Sequence, residues 1–142
     1  GATGAYLKHA FDAVEVVACY PSQSPALHTC IEAGRVVEVA CGPTLSDATA
    51  GGVEEGAITL ELCADIIDRS VFVEEDAIAA GVREIVEAHG MLIEGAAGLA
   101  VAAFRQVATD YIGKRVAIVL CGANIASETL VEVLRGDADE TK

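Results

Sequence analysis

Two patterns of apolar residues alternate along the chain. Short apolar runs near turn residues predict strands buried on both faces, and such runs lie at residues 14–19, 36–39, 71–73 and 116–120. Apolar residues three or four positions apart predict helices, at residues 1–11, 25–33, 55–67, 74–89, 99–108 and 128–134. Gly34 and Gly90 predict the ends of two helices. Without hairpin signals, the alternation predicts an α/β fold: a three-layer, mostly parallel sheet with helices on both faces.

The apolar run at residues 116–120 leads into a turn with candidate ligand contacts. Cys121 follows the run directly, and Gly122 and Asn124 come next. Ligands of open α/β sheets bind at the carboxyl ends of the strands, so Cys121 is expected to face a ligand crevice. On position alone an ordinary buried cysteine is the favoured interpretation, because a free thiol packs as a small apolar group.

Two other segments could reach the same crevice. Glu94 ends an apolar run and precedes small residues that begin a helix, so its carboxylate can cap that helix or face the crevice. Residues 41–52, which we call the Asp47 loop, are rich in Gly, Ser and Thr and contain one acid, Asp47. Adjacent Gly51 and Gly52 would let the backbone approach a ligand closely. A mobile connection is an equally good interpretation of this loop.

Composition narrows the range of functions. The 142 residues suit a single domain with its own core, and 53% of them are hydrophobic. A net charge of −13 repels phosphate backbones, so no nucleic-acid partner is expected. No apolar run approaches the roughly 20 residues of a membrane span, so no membrane partner is expected. Five scattered cysteines without a Cys-x-x-Cys pair predict reduced thiols in a cytoplasmic protein, and the three histidines lack metal-like spacing.

Five segments follow one another in an order that resembles a known family. They are YPSQSP (20–25), PTLSDATAGGVE (43–54), ITLELC (58–63), EGAAG (94–98) and LCGAN (120–124). Together they resemble the C-terminal part of the pyridoxal-phosphate-dependent serine/threonine dehydratases, which have the tryptophan-synthase-β-like fold and include serine racemase. The resemblance implies that residues 1–142 form a single domain, the C-terminal part of the family's cofactor-binding large domain. The polar residues 136–142 predict a frayed tail.

The resemblance implies cofactor contacts in the turn at residues 121–124. In this family a Ser, Thr or Cys at the position of Cys121 hydrogen-bonds the pyridine nitrogen of pyridoxal phosphate. A neutral partner leaves that nitrogen unprotonated, which favours β-elimination over transamination. Gly122 and Asn124 would shape the same turn.

The resemblance also implies contacts on the other side of the cofactor. Glu94 matches the family acid near the ring, and Asp47 and Ala48 match an Asp-Gly pair beside the cofactor. Ala48 in place of glycine predicts an altered backbone angle. Serine racemase-like members bind a divalent ion through acids at the positions of Tyr20 and Ala26. Neither residue is acidic in this sequence, so no metal site is predicted.

The largest departure from the family concerns the catalytic lysine. The family's Schiff-base lysine lies in its N-terminal half, in a Ser-Phe-Lys-like motif, and Lys8, Lys114 and Lys142 stand in no such context. The glycine-rich loop that holds the cofactor phosphate would precede Gly1. We therefore expect that chain upstream of Gly1 is missing, that no catalytic residue lies in these 142 residues, and that they do not bind pyridoxal phosphate alone.

Two functions follow from these observations. The first is the C-terminal portion of a threonine or serine dehydratase, an ammonia-lyase that converts a small amino-acid substrate to a 2-oxo acid and ammonia, inactive as an isolated chain. The second is a non-catalytic binding or assembly module derived from a truncated dehydratase gene. Apolar surface left where an N-terminal half would dock predicts a homo-oligomer. The coding sequence upstream of Gly1 would separate the two functions.

Overall fold

The computed structural model describes residues 1–136 and combines six α-helices with a parallel sheet in those residues. The elements are α1 (Ala2–Ala10), β1 (Val17–Pro21), α2 (Ala26–Ala33), α3 (Thr59–Ile66), β2 (Arg69–Val73), α4 (Glu75–His89), α5 (Gly95–Val107) and α6 (Ser127–Arg135). The predicted α/β class with a parallel sheet is confirmed. The predicted frayed tail lies, apart from Gly136, outside the described residues.

Strands β1 and β2 pair in parallel, with Val17 opposite Arg69 and Pro21 opposite Val73. Side chains alternate between the two faces of a strand, so Val71 and Val73 lie on the same face of the sheet. The cluster on that face joins β2 to α4 and α5, and it consists of Val71, Val73, Ile78, Leu99, Ala102 and Ala103. On the opposite face the ring of His28, in α2, meets Phe72 edge-on with centroids 4.8 Å apart. Helices therefore cover both faces of this sheet.

Helices α4 and α5 pack with their backbones almost in contact. A Cβ atom at Gly98 would lie 2.8 Å from the carbonyl oxygen of Ile78, and one at Gly81 would overlap the carbonyl oxygen of Gly98. Only glycine at these crossing positions permits such an approach. A second apolar cluster joins α6 to this pair, and it consists of Val82, Ile85, Ile93, Ala97, Val101 and Val133.

Two predicted strands are not formed, at residues 36–39 and 116–120. A strand requires a neighbouring strand for its backbone groups, and an apolar run does not reveal whether one is available. The backbone N–H of Val37 instead points at the sulfur of Cys30, at 3.4 Å. Residues 116–120 are exposed, with Val119 60% accessible. The prediction that Cys121 ends a central strand is therefore wrong for this chain.

Several element boundaries also differ from the predictions. Helix α3 begins at Thr59 rather than at residue 55, because Gly56 adopts a left-handed φ of 79°. Helix α5 begins at Gly95, four residues before the predicted start. The predicted ends at Gly34 and Gly90 are confirmed, since both adopt the left-handed conformation. Within residues 1–136, no helix has both the length and the apolar character needed to cross a membrane.

Candidate functional site

The first turn of α5 joins two distant parts of the chain. Glu94 is the residue before α5, and its backbone N–H donates to the carbonyl oxygen of Gly122 at 3.2 Å. The backbone N–H of Asn124 donates in return to Glu94 Oε2 at 3.1 Å. The Glu94 side chain makes no capping hydrogen bond to its own helix. Of the two roles considered for Glu94, the structure therefore favours contact with residues 121–124, which we call the Cys121 turn.

Gly122 fits this turn because it has no side chain. Its φ of 86° lies in the left-handed region that favours glycine, and an added Cβ would overlap the Glu94 carboxyl group. Cys121, the preceding residue, is exposed with a free thiol. The interpretation of Cys121 as an ordinary buried cysteine is therefore wrong, although the strand expected before it is absent.

The Asp47 loop reaches the same turn of α5 from the other direction. The Leu45 carbonyl and the Ser46 nitrogen lie so close to Gly95 that a Cβ there would overlap them. The Leu45 N–H donates to Glu75 Oε2 at 2.7 Å. The next residue but one, Asp47, is exposed at the start of a short 3-10 helix that contacts α5. The loop is thus packed against α5 near the Cys121 turn.

Ala48 adopts an ordinary backbone conformation inside that 3-10 helix. No non-glycine residue among residues 1–136 has a positive φ, Ala48 included. The Ala48 N–H donates to Asp47 Oδ1 at 2.8 Å. The loop therefore accommodates Ala48 without the backbone angle that would require glycine.

Sequence reasoning missed one residue of this assembly, Glu75. Glu75 lies in the first turn of α4, where the helix dipole alone would favour an acid. Its partner Leu45 lies 30 positions earlier in the chain. No local pattern links the two residues, so only the tertiary structure reveals the contact.

Tyr20 and Ala26, the positions at which the resemblance would place acidic metal ligands, are both buried. The Tyr20 ring stacks on Phe72 with centroids 5.7 Å apart, and burial raises the pKa of its hydroxyl. Neither residue offers a carboxylate. In the part of the chain that the structure describes, no group of three or more His, Cys, Asp or Glu side chains could hold a metal ion.

Loops held in place by a rigid helix often carry the residues that bind ligands. The profile of the pyridoxal-phosphate dependent enzyme family matches residues 1–122, and the chain belongs to this family.

Named relatives of this chain act on threonine or share its fold. An L-threonine ammonia-lyase from Geobacter sulfurreducens is 34% identical over 126 residues, which are 87% of this chain and 31% of that protein. An L-threonine ammonia-lyase from Thermotoga maritima is 34% identical over 112 residues, 79% of this chain and 27% of that protein. The processed form of threonine deaminase isoform 2 from Solanum lycopersicum has the same fold, with a TM-score of 0.81 at 21% identity, over 95% of this chain and 38% of that one. The chain spans about a third of the length of the curated relatives it matches.

The chemistry of the Cys121 turn is compatible with the pyridoxal phosphate of this family. The exposed Cys121 thiol can donate one neutral hydrogen bond to a ligand. The Lys8 ammonium donates to Asp68 at 2.6 Å, and the Lys114 ammonium lies 5.1 Å from the centroid of the Tyr111 ring. We therefore assign neither lysine to covalent attachment of the cofactor, and Lys142 lies outside the described residues.

Proposed function

We propose that this chain forms one wall of the pyridoxal phosphate site in a threonine or serine dehydratase, the wall beside the pyridine nitrogen of the cofactor. The observation that supports the proposal is the pair of hydrogen bonds between Glu94 and the Cys121 turn. They hold the predicted ring partner, Cys121, next to the predicted acid. The bound cofactor would supply an electron sink for loss of the substrate's β-hydroxyl, and the products would be a 2-oxo acid and ammonia.

The residues of the wall would orient the cofactor and tune its charge. The Cys121 thiol would donate a hydrogen bond to the pyridine nitrogen and add no formal charge beside it. Gly122 and Asn124 would present the turn backbone, and Glu94 would hold that turn in place. Asp47 and Ala48 would face the cofactor from the other loop. Proton transfer would be performed by groups outside these residues.

The experiment uses the protein at its full natural length, loaded with pyridoxal phosphate. L-Threonine should give 2-oxobutanoate and L-serine should give pyruvate, each measured as its hydrazone, while residues 1–142 alone should match a boiled control. Failure of the full-length protein on both substrates would contradict the dehydratase assignment. Turnover by residues 1–142 alone would contradict the proposal that they form only a wall of the site.

We also propose a cytoplasmic location and self-association for this protein. All five cysteines are free thiols, as expected in a reducing compartment. The exposed apolar residues between 116 and 120 favour association with another chain. Fractionation of cells, with detection of the protein by antibody, tests the location.

The exposed segment at residues 116–120 also supports a second candidate function, a non-catalytic assembly module. Its side chains are apolar, and its backbone pairs with no strand in the described part of the chain. An open reading frame upstream of Gly1 that encodes a glycine-rich loop and a lysine motif would support the enzyme. A stop codon immediately upstream would support the module.

A further inference from the structure

Two glutamates at the starts of successive helices hold two different loops. Glu75, the first residue of α4, accepts the Leu45 N–H of the Asp47 loop at 2.7 Å. Glu94, which precedes the first residue of α5, accepts the Asn124 N–H of the Cys121 turn at 3.1 Å. In both cases a carboxylate receives a backbone donor 30 residues away in sequence. The two loops thus depend on the same kind of contact.

Both contacts converge on the first turn of α5. The Leu45 carbonyl packs directly against Gly95, so the position fixed by Glu75 also fixes how the Asp47 loop meets α5. The neighbouring residue, Glu94, uses its backbone N–H as well as its carboxylate, and Gly122 accepts the N–H. The two loops are therefore fixed to adjacent residues, Gly95 and Glu94.

A carboxylate suits this task for two reasons. A hydrogen bond to a charged acceptor is stronger than one to a neutral acceptor. A negative charge is also stabilised at a helix N-terminus by the helix dipole. The contact is kept although it leaves the other Glu75 oxygen unsatisfied. That oxygen, Oε1, is buried with no hydrogen-bond partner in residues 1–136. The adjacent Glu74 is exposed, so it offers a matched control.

We propose that Glu75 and Glu94 are positioning residues for the cofactor. Glu75 sets the Asp47 loop and Glu94 sets the Cys121 turn, so that both loops present their cofactor-facing residues at the start of α5. This role rests on the proposed function. Neither carboxylate needs to touch the reacting atoms, because each acts through the loop that it holds.

The first test measures the loops without cofactor. Amide hydrogen exchange is followed by mass spectrometry in the full-length protein and in Glu75→Ala, Glu94→Ala and Glu74→Ala. Glu94→Ala should speed exchange at residues 122–125 by about tenfold and leave residues 44–47 unchanged. Glu75→Ala should speed exchange at residues 44–47 and leave residues 122–125 unchanged. Glu74→Ala should change exchange in neither segment. The assignment of one loop to each carboxylate would be overturned if neither alanine variant speeds amide exchange. It would also be overturned if either variant speeds exchange equally in both segments.

The second test measures what the loops do for the cofactor. Glu75→Ala and Glu94→Ala should each weaken pyridoxal phosphate binding by about tenfold and shift the cofactor's fluorescence, while the circular dichroism of each variant shows that it remains folded. Glu75→Gln and Glu94→Gln should recover most of the affinity, because the amide oxygen can accept the same N–H. The positioning role would be overturned if Glu75→Ala and Glu94→Ala speed amide exchange but bind pyridoxal phosphate with the same affinity and fluorescence as Glu74→Ala. If the unmodified protein binds no pyridoxal phosphate, the proposed function fails, and with it the role towards the cofactor. The exchange result then still decides whether the carboxylates hold the loops.

Discussion

Gly122 illustrates how one residue determines the geometry of the candidate site. The sequence predicts a glycine turn after Cys121, but it does not reveal that the space of the missing side chain is filled by the Glu94 carboxyl group. A left-handed φ and a close neighbour act together at this position. Each can be tested separately, because the chain has another left-handed glycine in open space.

Gly122→Ala should destabilise the fold more than Gly113→Ala. Gly113 has a φ of 78° and no atom near its Cβ position, so alanine there should lose only the left-handed backbone preference, about 1 kcal/mol. Gly122→Ala must also displace the end of the Glu94 side chain and break its hydrogen bond with the Asn124 N–H, so it should lose about 1 kcal/mol more. Urea unfolding of both variants measures the difference. Equal losses would show that Glu94 moves away freely.

The five thiols should differ sharply in reactivity. Cys41 and Cys121 are exposed, Cys30 and Cys63 are buried, and burial raises the pKa of Cys19 to about 11. At pH 8 a thiol with that pKa is about one part in a thousand thiolate, so the partly buried Cys19 should react with iodoacetamide far more slowly than the exposed Cys121. Mass spectrometry of timed samples measures the rates, with the urea-unfolded protein as the reference. Similar native rates for Cys121 and Cys19 would contradict the exposed position of Cys121.

Cys121→Ser should leave the free energy of unfolding within about 0.5 kcal/mol of the unmodified chain, because the residue is exposed. In the full-length protein it should keep most of the proposed dehydratase activity, since a hydroxyl can make the same hydrogen bond. Cys121→Asp should lose activity, because a carboxylate would favour a protonated pyridine nitrogen. Equal activity of the Ser and Asp variants would contradict the role of Cys121 at that nitrogen.

At the scale of elements, the contact between α4 and α5 depends on glycine. Gly98→Ala would bring a methyl group within 2.8 Å of the Ile78 carbonyl oxygen, and the backbone cannot yield easily. We expect a loss of about 1–3 kcal/mol in the free energy of unfolding. Gly4→Ala, in α1, is the matched control.

The Gly4 substitution would meet only side-chain ends, Ile66 Cδ1 at 3.1 Å and Val16 Cγ1 at 3.2 Å. Because alanine also has the higher helix propensity, the net change should stay within about 0.5 kcal/mol. Thermal or urea unfolding distinguishes the two variants. A loss for Gly4→Ala as large as that for Gly98→Ala would indicate that crowding against side chains matters as much as crowding against backbone.

Asp68 joins α1 to the sheet and makes that junction sensitive to acid. The Lys8 ammonium and the Val16 N–H both donate to its carboxylate, and they lower its pKa below the ordinary value. The folded pKa is thus below the unfolded pKa, so this group stabilises the fold above the unfolded value and loses that contribution as pH falls through the folded one. The side chain is 39% exposed, so solvent screening keeps the contribution below about 1 kcal/mol.

Asp68→Asn should therefore lower stability at pH 7 and approach the unmodified chain as the pH falls through the folded pKa of Asp68. Urea unfolding between pH 7 and pH 2 measures the convergence. Asp65→Asn, at an exposed acid on α3, is the matched control for the loss of one negative charge. A constant difference between Asp68→Asn and the unmodified chain at every pH would contradict the role of the charge.

Helix ends were predictable from sequence because their causes are local. Gly34 and Gly90 end α2 and α4 where the pattern places them, since a left-handed residue terminates a helix without help from the rest of the fold. Strands were less predictable, because residues 116–120 have the apolar pattern but no neighbouring strand in the described chain. For the candidate site, sequence reasoning selected Glu94, Gly122 and Asn124, which the structure brings together. It did not select Glu75, whose partner is distant in sequence.

At the scale of the whole molecule, surface charge and surface apolarity act against each other. A net charge of −13 keeps copies apart, whereas exposed apolar side chains between residues 116 and 120 favour association. Added salt screens the charge and leaves the apolar attraction in place. We therefore expect self-association of the 142-residue chain to increase with ionic strength.

Val119→Lys should reduce that association. Val119 is 60% exposed in the apolar segment, and Val131, on α6, is 45% exposed, so Val131→Lys adds the same charge at another exposed valine. Light scattering at tens of micromolar, an order-of-magnitude choice, should show a smaller mass for Val119→Lys than for Val131→Lys. A monomer for the unmodified chain would contradict self-association, and equal masses for the two variants would exclude residues 116–120 as the contact.

The parallel pairing of β1 with β2 has a consequence for the order in which the chain folds. The paired strands are 52 residues apart in sequence, whereas α4 and α5 are separated only by residues 90–94. Closing a long loop lowers chain entropy before any strand contact forms, so the α4–α5 hairpin should form first and the sheet later. During synthesis β1 leaves the ribosome before β2 has been synthesised, so its apolar side chains stay exposed until β2 is available for pairing. We therefore expect β1 to contribute to chaperone dependence in the cell, because its apolar side chains are synthesised before their partners in β2.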